Sequence, residues 1–320
     1  MGEFELIRNF FAAAPCAQVG EGVALGIGDD CALLDVPFGE QLAISTDTLV
    51  AGVHFADPCD PFLLGQRSLA VAASDLAAMG ATPLAFTLAL TLPAVEADWL
   101  EAFARGLNLM AQGCGLRLIG GDTTRGPLCL TLTVFGRVPR GQALTRSAAR
   151  PGDLLCVGGE LGNAAGALPL VLGQRSATPA IAEPLLAHYW SPQPQLALGQ
   201  ALRGKASSAL DISDGLLADC GHIALASKVR LLIENDRIPV SLALQEFLGD
   251  ADAQQAALSG GDDYVLAFTL AAVELPTLLA DGWPIHVIGR VVEGQGVGLL
   301  DVHGQDITPT IRGYQHFRSE

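Results

Sequence analysis

Apolar runs of strand length alternate with longer stretches of helical periodicity through the first half of the chain. Gln41 to Thr46 (QLAIST) predicts a strand and Phe62 to Met79 a long helix. Leu84 to Leu92 predicts a buried strand, Ala97 to Gly113 a helix, and Leu116 to Ile119 a further strand. Over Leu128 to Val138, apolar and polar positions alternate in LCLTLTVFG, the period-2 pattern of a half-buried strand. Turn residues cluster at Pro139-Arg140-Gly141 and Arg150-Pro151-Gly152, which predicts a domain boundary near residue 148. The second half restarts with a strand at Asp153 to Val157, a Gly-rich turn at Gly158 to Gly162, and a helix from Asn163. A strand, turn and helix follow over Ala209 to Ala226, with strands near Val265 to Leu270 and Ile285 to Val291. This mixture predicts an α/β fold, and 320 residues favour two domains over one.

Half of the residues are hydrophobic and 16% are charged, which excludes a largely disordered chain. Acidic residues outnumber basic ones 34 to 18, for a formal net charge of -16. Such a surface repels a phosphate backbone, so nucleic acid is not an expected partner. The mean hydropathy of +0.39 raises the question of a membrane span. The longest charge-free apolar stretch, Leu76 to Val95, is broken by Gly80, Pro83 and Pro93. It reads as a helix end followed by a strand, because a span needs about 18 unbroken apolar residues or more. The patch Phe10 to Ala14, behind Glu3, Glu5 and Arg8, is too short and too acidic in its flanks for a signal peptide. A cytoplasmic protein without membrane contact is expected. The seven cysteines are scattered and never spaced C-x-x-C, so neither a disulfide framework nor a zinc knuckle follows.

Aspartates recur behind short apolar runs. They are Asp29 and Asp30 in GIGDD, Asp47 in ISTDT, Asp122 in IGGDTT, Asp211 and Asp214 in LDISDG, and Asp262 and Asp263 in SGGDDY. Asp75 lies inside an otherwise apolar helix, where aspartate is a poor helix former and costly to bury unpaired. Taken singly, an aspartate behind a strand is an N-cap or turn residue, and Asp75 a solvated helix position. Taken together, converging carboxylates concentrate like charge, which is tolerable only with cations. Carboxylate, hydroxyl and carbonyl oxygens are the hard donors that magnesium prefers, and no His/Cys spacing points to zinc. The EF-hand pattern fails, since the glycine of Asp211–Gly215 comes one position early and no Glu closes the loop. Magnesium bound by a few carboxylates commonly shares substrate phosphates, which points to nucleotide chemistry. A Walker-type NTPase is excluded because Gly204-Lys205-Ala206 fails at its last position, and protein-kinase signatures are absent. Gly158 to Gly162 offers only a degenerate dinucleotide-binding pattern.

Eight stretches stand in a recognisable order: GIGDD (26–30), STDTLVAGVHF (45–55), SDLAAMGATP (74–83), GGDTT (120–124), ALTRSAARPGD (143–153), LDISDGL (210–216), GGDDY (260–264) and GYQHF (313–317). On these the chain resembles the thiamine-monophosphate kinase family, within the superfamily of aminoimidazole ribonucleotide synthetase and selenophosphate synthetase. It departs from the family pattern at Ala51, where Glu is common, and at Asp262, where GGEDY is common. The resemblance implies two α/β domains. The first, 1–148, binds metal and ATP, and its sheet pairs with a second copy to form an intersubunit barrel in a homodimer. The second, 149–320, packs helices on a mixed sheet and completes the nucleotide and substrate sites. The implied reaction converts ATP and thiamine monophosphate to ADP and thiamine diphosphate. Several Mg²⁺ ions are assigned to Asp30, Ser45, Thr46, Asp47, Asp75, Asp122, Asp211 and Asp214, with Asp29 beside them. ATP is assigned to Gly121, Asp122, Arg146 and Ser213. Thiamine monophosphate is assigned to His54, Asp262 and Phe317, with Tyr314 the alternative to Phe317. No catalytic general base is expected, because the accepting phosphate is already largely deprotonated at neutral pH. Another ATP-dependent enzyme of the superfamily and a non-catalytic metal- or nucleotide-binding protein are the alternatives.

Overall fold

The computed structural model describes residues 3–28, 31–309 and 313. The chain forms two units, Met1–Leu76 with Ala81–Gly141, and Ala77–Gly80 with Gln142–Glu320. The division therefore falls after Gly141, at the first of the two turn clusters in the sequence.

In the first unit, β1 (Val23–Leu25) pairs antiparallel with β2 (Leu33–Leu34). The main sheet contains β3 (Glu40–Val50), β4 (Thr82–Leu92), β5 (Arg117–Arg125) and β6 (Cys129–Pro139) in the order β3-β6-β4-β5. β6 runs antiparallel to both neighbours, whereas β4 and β5 are parallel. A parallel pair needs a long crossover, and the Ala97–Cys114 helix supplies it. The alternation of β6 is realised residue by residue. Leu130, Leu132 and Val134 are fully buried, while Thr131 and Thr133 face the other side. Burying each leucine contributes about 2 kcal/mol. On the opposite face, threonine hydroxyls pair across β3 and β6, Thr46 with Thr133 and Thr48 with Thr131, each at 2.9 Å.

The Pro61–Ala78 helix is buried along most of its length, including Leu64, Leu69, Ala72, Ala73 and Leu76. It crosses the Ala97–Cys114 helix so closely that a Cβ on Gly106 would lie 1.9 Å from the Phe62 carbonyl oxygen. Only glycine permits that approach.

The second unit is built on an open mixed sheet of β7 (Leu154–Val157), β8 (Ala206–Asp211), β9 (Arg230–Glu234), β10 (Leu266–Leu270), β11 (His286–Val292) and β12 (Gly296–Leu300). Their order is β12-β9-β11-β7-β10-β8, with only β12 and β9 parallel. Its core joins Leu155, Val157, Leu210 and Ile288 of the strands to Leu216, Leu217, Cys220 and Ile223 of the Leu216–Ser227 helix. A mixed α/β fold in two units is thus the architecture, and no described helix is long and apolar enough to cross a membrane. Two strands run further than the apolar pattern indicates. β3 continues to Val50 and β5 to Arg125, so Asp47 and Asp122 lie inside strands and not behind them.

Two alanine substitutions in one helix should act with opposite sign. Gly106→Ala, which drives a methyl group into backbone, is expected to cost about 2 kcal/mol or more. Gly113→Ala, where nothing lies within 4 Å of the new Cβ, should stabilise by about 0.5 kcal/mol. Urea unfolding midpoints of the two variants check both.

Candidate functional site

Strand register sorts the expected ligands of the first unit onto two faces. The row Asp47, Leu132, Leu88 and Gly121 lies on the buried face, and the row Thr48, Thr131, Ala89 and Asp122 on the exposed one. Ser45 shares the face of Asp47, and its hydroxyl hydrogen-bonds the Asp75 carboxylate of the Pro61–Ala78 helix. Asp75 is therefore a partly buried, bonded acid and not a solvated helix position. Thr46 stands on the face of Asp122. A cleft of about 980 Å³ opens along β5 and is lined by Arg8, Phe11, Gly28, Cys31, Thr87 and Gly120 to Thr123, among others. It brings the end of GIG next to GGDTT, stretches that are distant in sequence. Gly121 has a local reason to be glycine: its Cβ would sit 1.9 Å from the Leu88 carbonyl oxygen on the neighbouring strand.

His54 belongs to the turn that ends β3. The Val53 and His54 amides both donate to the Val50 carbonyl, at 3.1 and 3.0 Å. The Val50 amide in turn donates to His54 Nδ1 at 3.0 Å, so the neutral ring carries its proton on Nε2. Beneath it, Arg67 is 1% exposed and its guanidinium reaches the His54 carbonyl at 3.5 Å. The sequence pattern did not single out Arg67, because its link to the turn is a bond to a backbone carbonyl 13 residues away.

In the second unit the LDISDGL and GGDDY stretches form one construction. Ile212 N–H donates to the Val265 carbonyl at 2.9 Å, Asp262 N–H to Ser213 at 2.9 Å, and Tyr264 N–H to Ile212 at 2.8 Å. Asp211 closes β8 and Asp214 follows in the turn, with Ser213 exposed between them. Asp219, a residue that the sequence pattern did not single out, organises this turn from the first turn of the following helix. Its Oδ2 accepts the Ser213, Asp214 and Gly215 amides at 3.0, 2.9 and 3.1 Å. Burial pushes the Asp219 carboxyl up to about 6, against the pull of those N–H groups. Asp263 is turned inward and takes the Gly162 amide on both oxygens at 2.9 Å. Burial raises its carboxyl well above the ordinary carboxylate range, and the neighbouring Asp262 charge adds to the rise.

Arg146 is exposed, and its carbonyl accepts the Ser227 hydroxyl at 2.9 Å. Asp29, Asp30, Tyr314 and Phe317 lie outside the described residues. Among the described residues, no group of three or more His, Cys, Asp or Glu is close enough to hold a metal ion. The donors that do come together, Ser45 and Asp75 with Asp47 on the same face, are all hard oxygens, which fits magnesium in chemistry.

Asp219 carries a testable pH signature in the metal-free chain. Its proton is held more tightly folded than unfolded, so the contribution of Asp219 to stability is greatest below about pH 4, where both states are protonated. The loss accumulates as pH rises from about 4 to 6 and amounts to about 3 kcal/mol above that window. Asp219→Asn should flatten this decline, while Asp219→Ala should lower stability by about 2 kcal/mol or more at pH 4, because three amides lose their acceptor, with a smaller deficit at pH 7, where wild type has already lost the Asp219 contribution. Urea titrations at pH 4, 5 and 7 read both effects.

Residues 28–138 match the family described as AIR synthase related protein, N-terminal domain, and residues 150–302 match its C-terminal domain. The thiamine-monophosphate kinase of Escherichia coli (strain K12) is 45% identical over 322 residues, covering 99% of this chain and 98% of that protein. The crystal structure of thiamine-monophosphate kinase from Stenotrophomonas maltophilia K279a is 47% identical with a TM-score of 0.82, covering 87% of this chain and 91% of that one. AaThiL complexed with AMPPCP and TMP is 28% identical with a TM-score of 0.80, covering 88% and 89%. On fold, ordered motifs and full-length identity, the chain belongs to the thiamine-monophosphate kinase family of phosphotransferases.

Proposed function

We propose that the chain transfers the γ-phosphoryl group of ATP directly, in line, to the phosphate of thiamine monophosphate, giving thiamine diphosphate and ADP in the cytoplasm. The observation that carries this reading is full-length identity of 45% to a thiamine-monophosphate kinase. A 28% identical neighbour complexed with AMPPCP and TMP supports both substrates. The nucleophile is a phosphate oxygen with a second pKa of about 6, so it needs no base to deprotonate it at neutral pH. What the reaction needs is relief of repulsion between two anions on a protein whose own net charge is -16. Bound magnesium supplies that positive charge.

The residues proposed to hold magnesium are Asp30, Ser45, Thr46, Asp47, Asp75, Asp122, Asp211 and Asp214. Gly121, Asp122, Arg146 and Ser213 are proposed to bind ATP, with the Arg146 guanidinium suited to a bidentate grip on phosphate. For thiamine monophosphate the reading assigns His54, Asp262 and Phe317. With its proton on Nε2, His54 offers a hydrogen-bond donor, and the Asp262 carboxylate suits a cationic thiazolium or an aminopyrimidine. The first unit is proposed to bind metal and ATP and to dimerise, and the second to complete both sites. A homodimer is supported by the exposed face of β3, where Leu42 and Ile44 are 38% and 58% exposed beside the threonine pairs. A second copy of that sheet would cover them and close an intersubunit barrel.

Three measurements test this reading. ADP release should depend on thiamine monophosphate and not on formylglycinamidine ribonucleotide, and chelation of divalent ions should abolish it until Mg²⁺ is restored. Asp122→Asn should lower turnover by roughly 100-fold or more with the urea midpoint unchanged; normal turnover removes Asp122 from the site. Ile44→Glu should shift the sedimenting species from dimer to monomer.

A further inference from the structure

Asp262 and Tyr264 both adopt left-handed backbone conformations, with φ of +69° and +52°, on either side of the buried Asp263. That conformation is unfavourable for residues with a side chain and persists only where the surroundings over-determine it. Here they do. The Asp262 and Tyr264 amides are bonded to the carbonyls of Ser213 and Ile212, and Asp263 is anchored from within by the Gly162 amide. The result is a short closed unit in which the Tyr264 hydroxyl donates to Asp262 Oδ1 at 2.9 Å while the tyrosine is only 7% exposed. A packed phenol has little freedom to follow a moving carboxylate, so the bond fixes the carboxylate and not the reverse.

Building on the function proposed above, we infer that Tyr264 is a positioning residue for the phosphate acceptor, its hydroxyl holding the Asp262 carboxylate in the orientation that receives the cationic or amino-bearing ring of that acceptor. Tyr264 acts through Asp262 and need not touch substrate itself. Its backbone bond to Ile212 sets this orientation relative to the segment that carries Asp211 and Asp214. A carboxylate already held loses less freedom on binding, so the effect falls on acceptor affinity and spares ATP.

The test uses the full chain with Mg²⁺. Binding of thiamine monophosphate in the presence of a nonhydrolysable ATP analogue is measured by titration calorimetry, alongside steady-state kinetics. The proteins are wild type, Tyr264→Phe, Asp262→Asn and the double variant. Tyr264→Phe should weaken acceptor binding and raise its KM about tenfold, with kcat and the KM for ATP within about twofold of wild type. The double variant should bind like Asp262→Asn alone, because the two side chains act as one unit. Unchanged acceptor binding in Tyr264→Phe, additive losses in the double variant, or an equal loss for ATP each overturn the inference. Wild-type protein that neither binds nor phosphorylates thiamine monophosphate overturns the proposed function and this inference with it. Wild-type binding that Asp262→Asn leaves intact overturns the placing of Asp262 at the acceptor, and the role of Tyr264 falls with it. Should Tyr264→Phe not fold, ultraviolet titration of wild type against Asp262→Asn decides. A phenol bonded to a carboxylate ionises at higher pH than one beside an amide, and identical titrations overturn the inference.

Discussion

Crowded carboxylates on a strongly acidic chain must be held in place by something other than one another, and in the second unit backbone amides do it. Three consecutive amides converge on Asp219 Oδ2, and the Gly162 amide on Asp263. Each buried acid is raised in pKa by desolvation, against the opposing pull of the N–H groups bonded to it. These two inward-facing acids anchor the loops on which Asp214 and Asp262 stand, the first of them directly behind Asp211 at the end of β8. The geometry of the candidate ligands therefore rests on hydrogen bonds made by residues that are not themselves proposed to bind anything.

The first unit solves a related problem with a sheet. Its buried face carries Ser45 and Asp47 toward the helix that bears Asp75, and its exposed face carries Thr46 and Asp122. β3 and β5 are the two edges of this sheet, which is where aspartates can enter a strand without being enclosed by neighbours on both sides. Glycine at 121 serves the close approach of β5 to β4, and the same backbone lines the large cleft beside Gly28. One sequence stretch thus meets a packing demand and forms a cleft wall together.

Much of the scaffold was legible from pattern alone. Leu130, Leu132 and Val134 had to share a buried face, and the apolar stretch from Phe62 had to be a helix; both are so. β9 and β12 were not legible, because five residues between charged or glycine-rich flanks become strands only when a neighbour offers a ladder. The ends of β3 and β5 were misread for a similar reason: polar residues there look like turns until strand pairing is known. Among the candidate site residues, the motif aspartates could be picked out as candidates from their spacing. Asp219, Arg67 and Tyr264 could not, since their roles are hydrogen bonds to partners that sequence spacing does not reveal.

What the sequence by itself determined was the alternation of buried and exposed positions, the excess of acids over bases, and the order of the glycine–aspartate stretches, because each is a property of residues and their spacing. The tertiary structure decided which acids share a face, which are held by amides, and that LDISDGL and GGDDY are one element. Those outcomes follow from strand register and from hydrogen bonds between segments far apart in the chain, and a one-residue change of register would have reversed the faces.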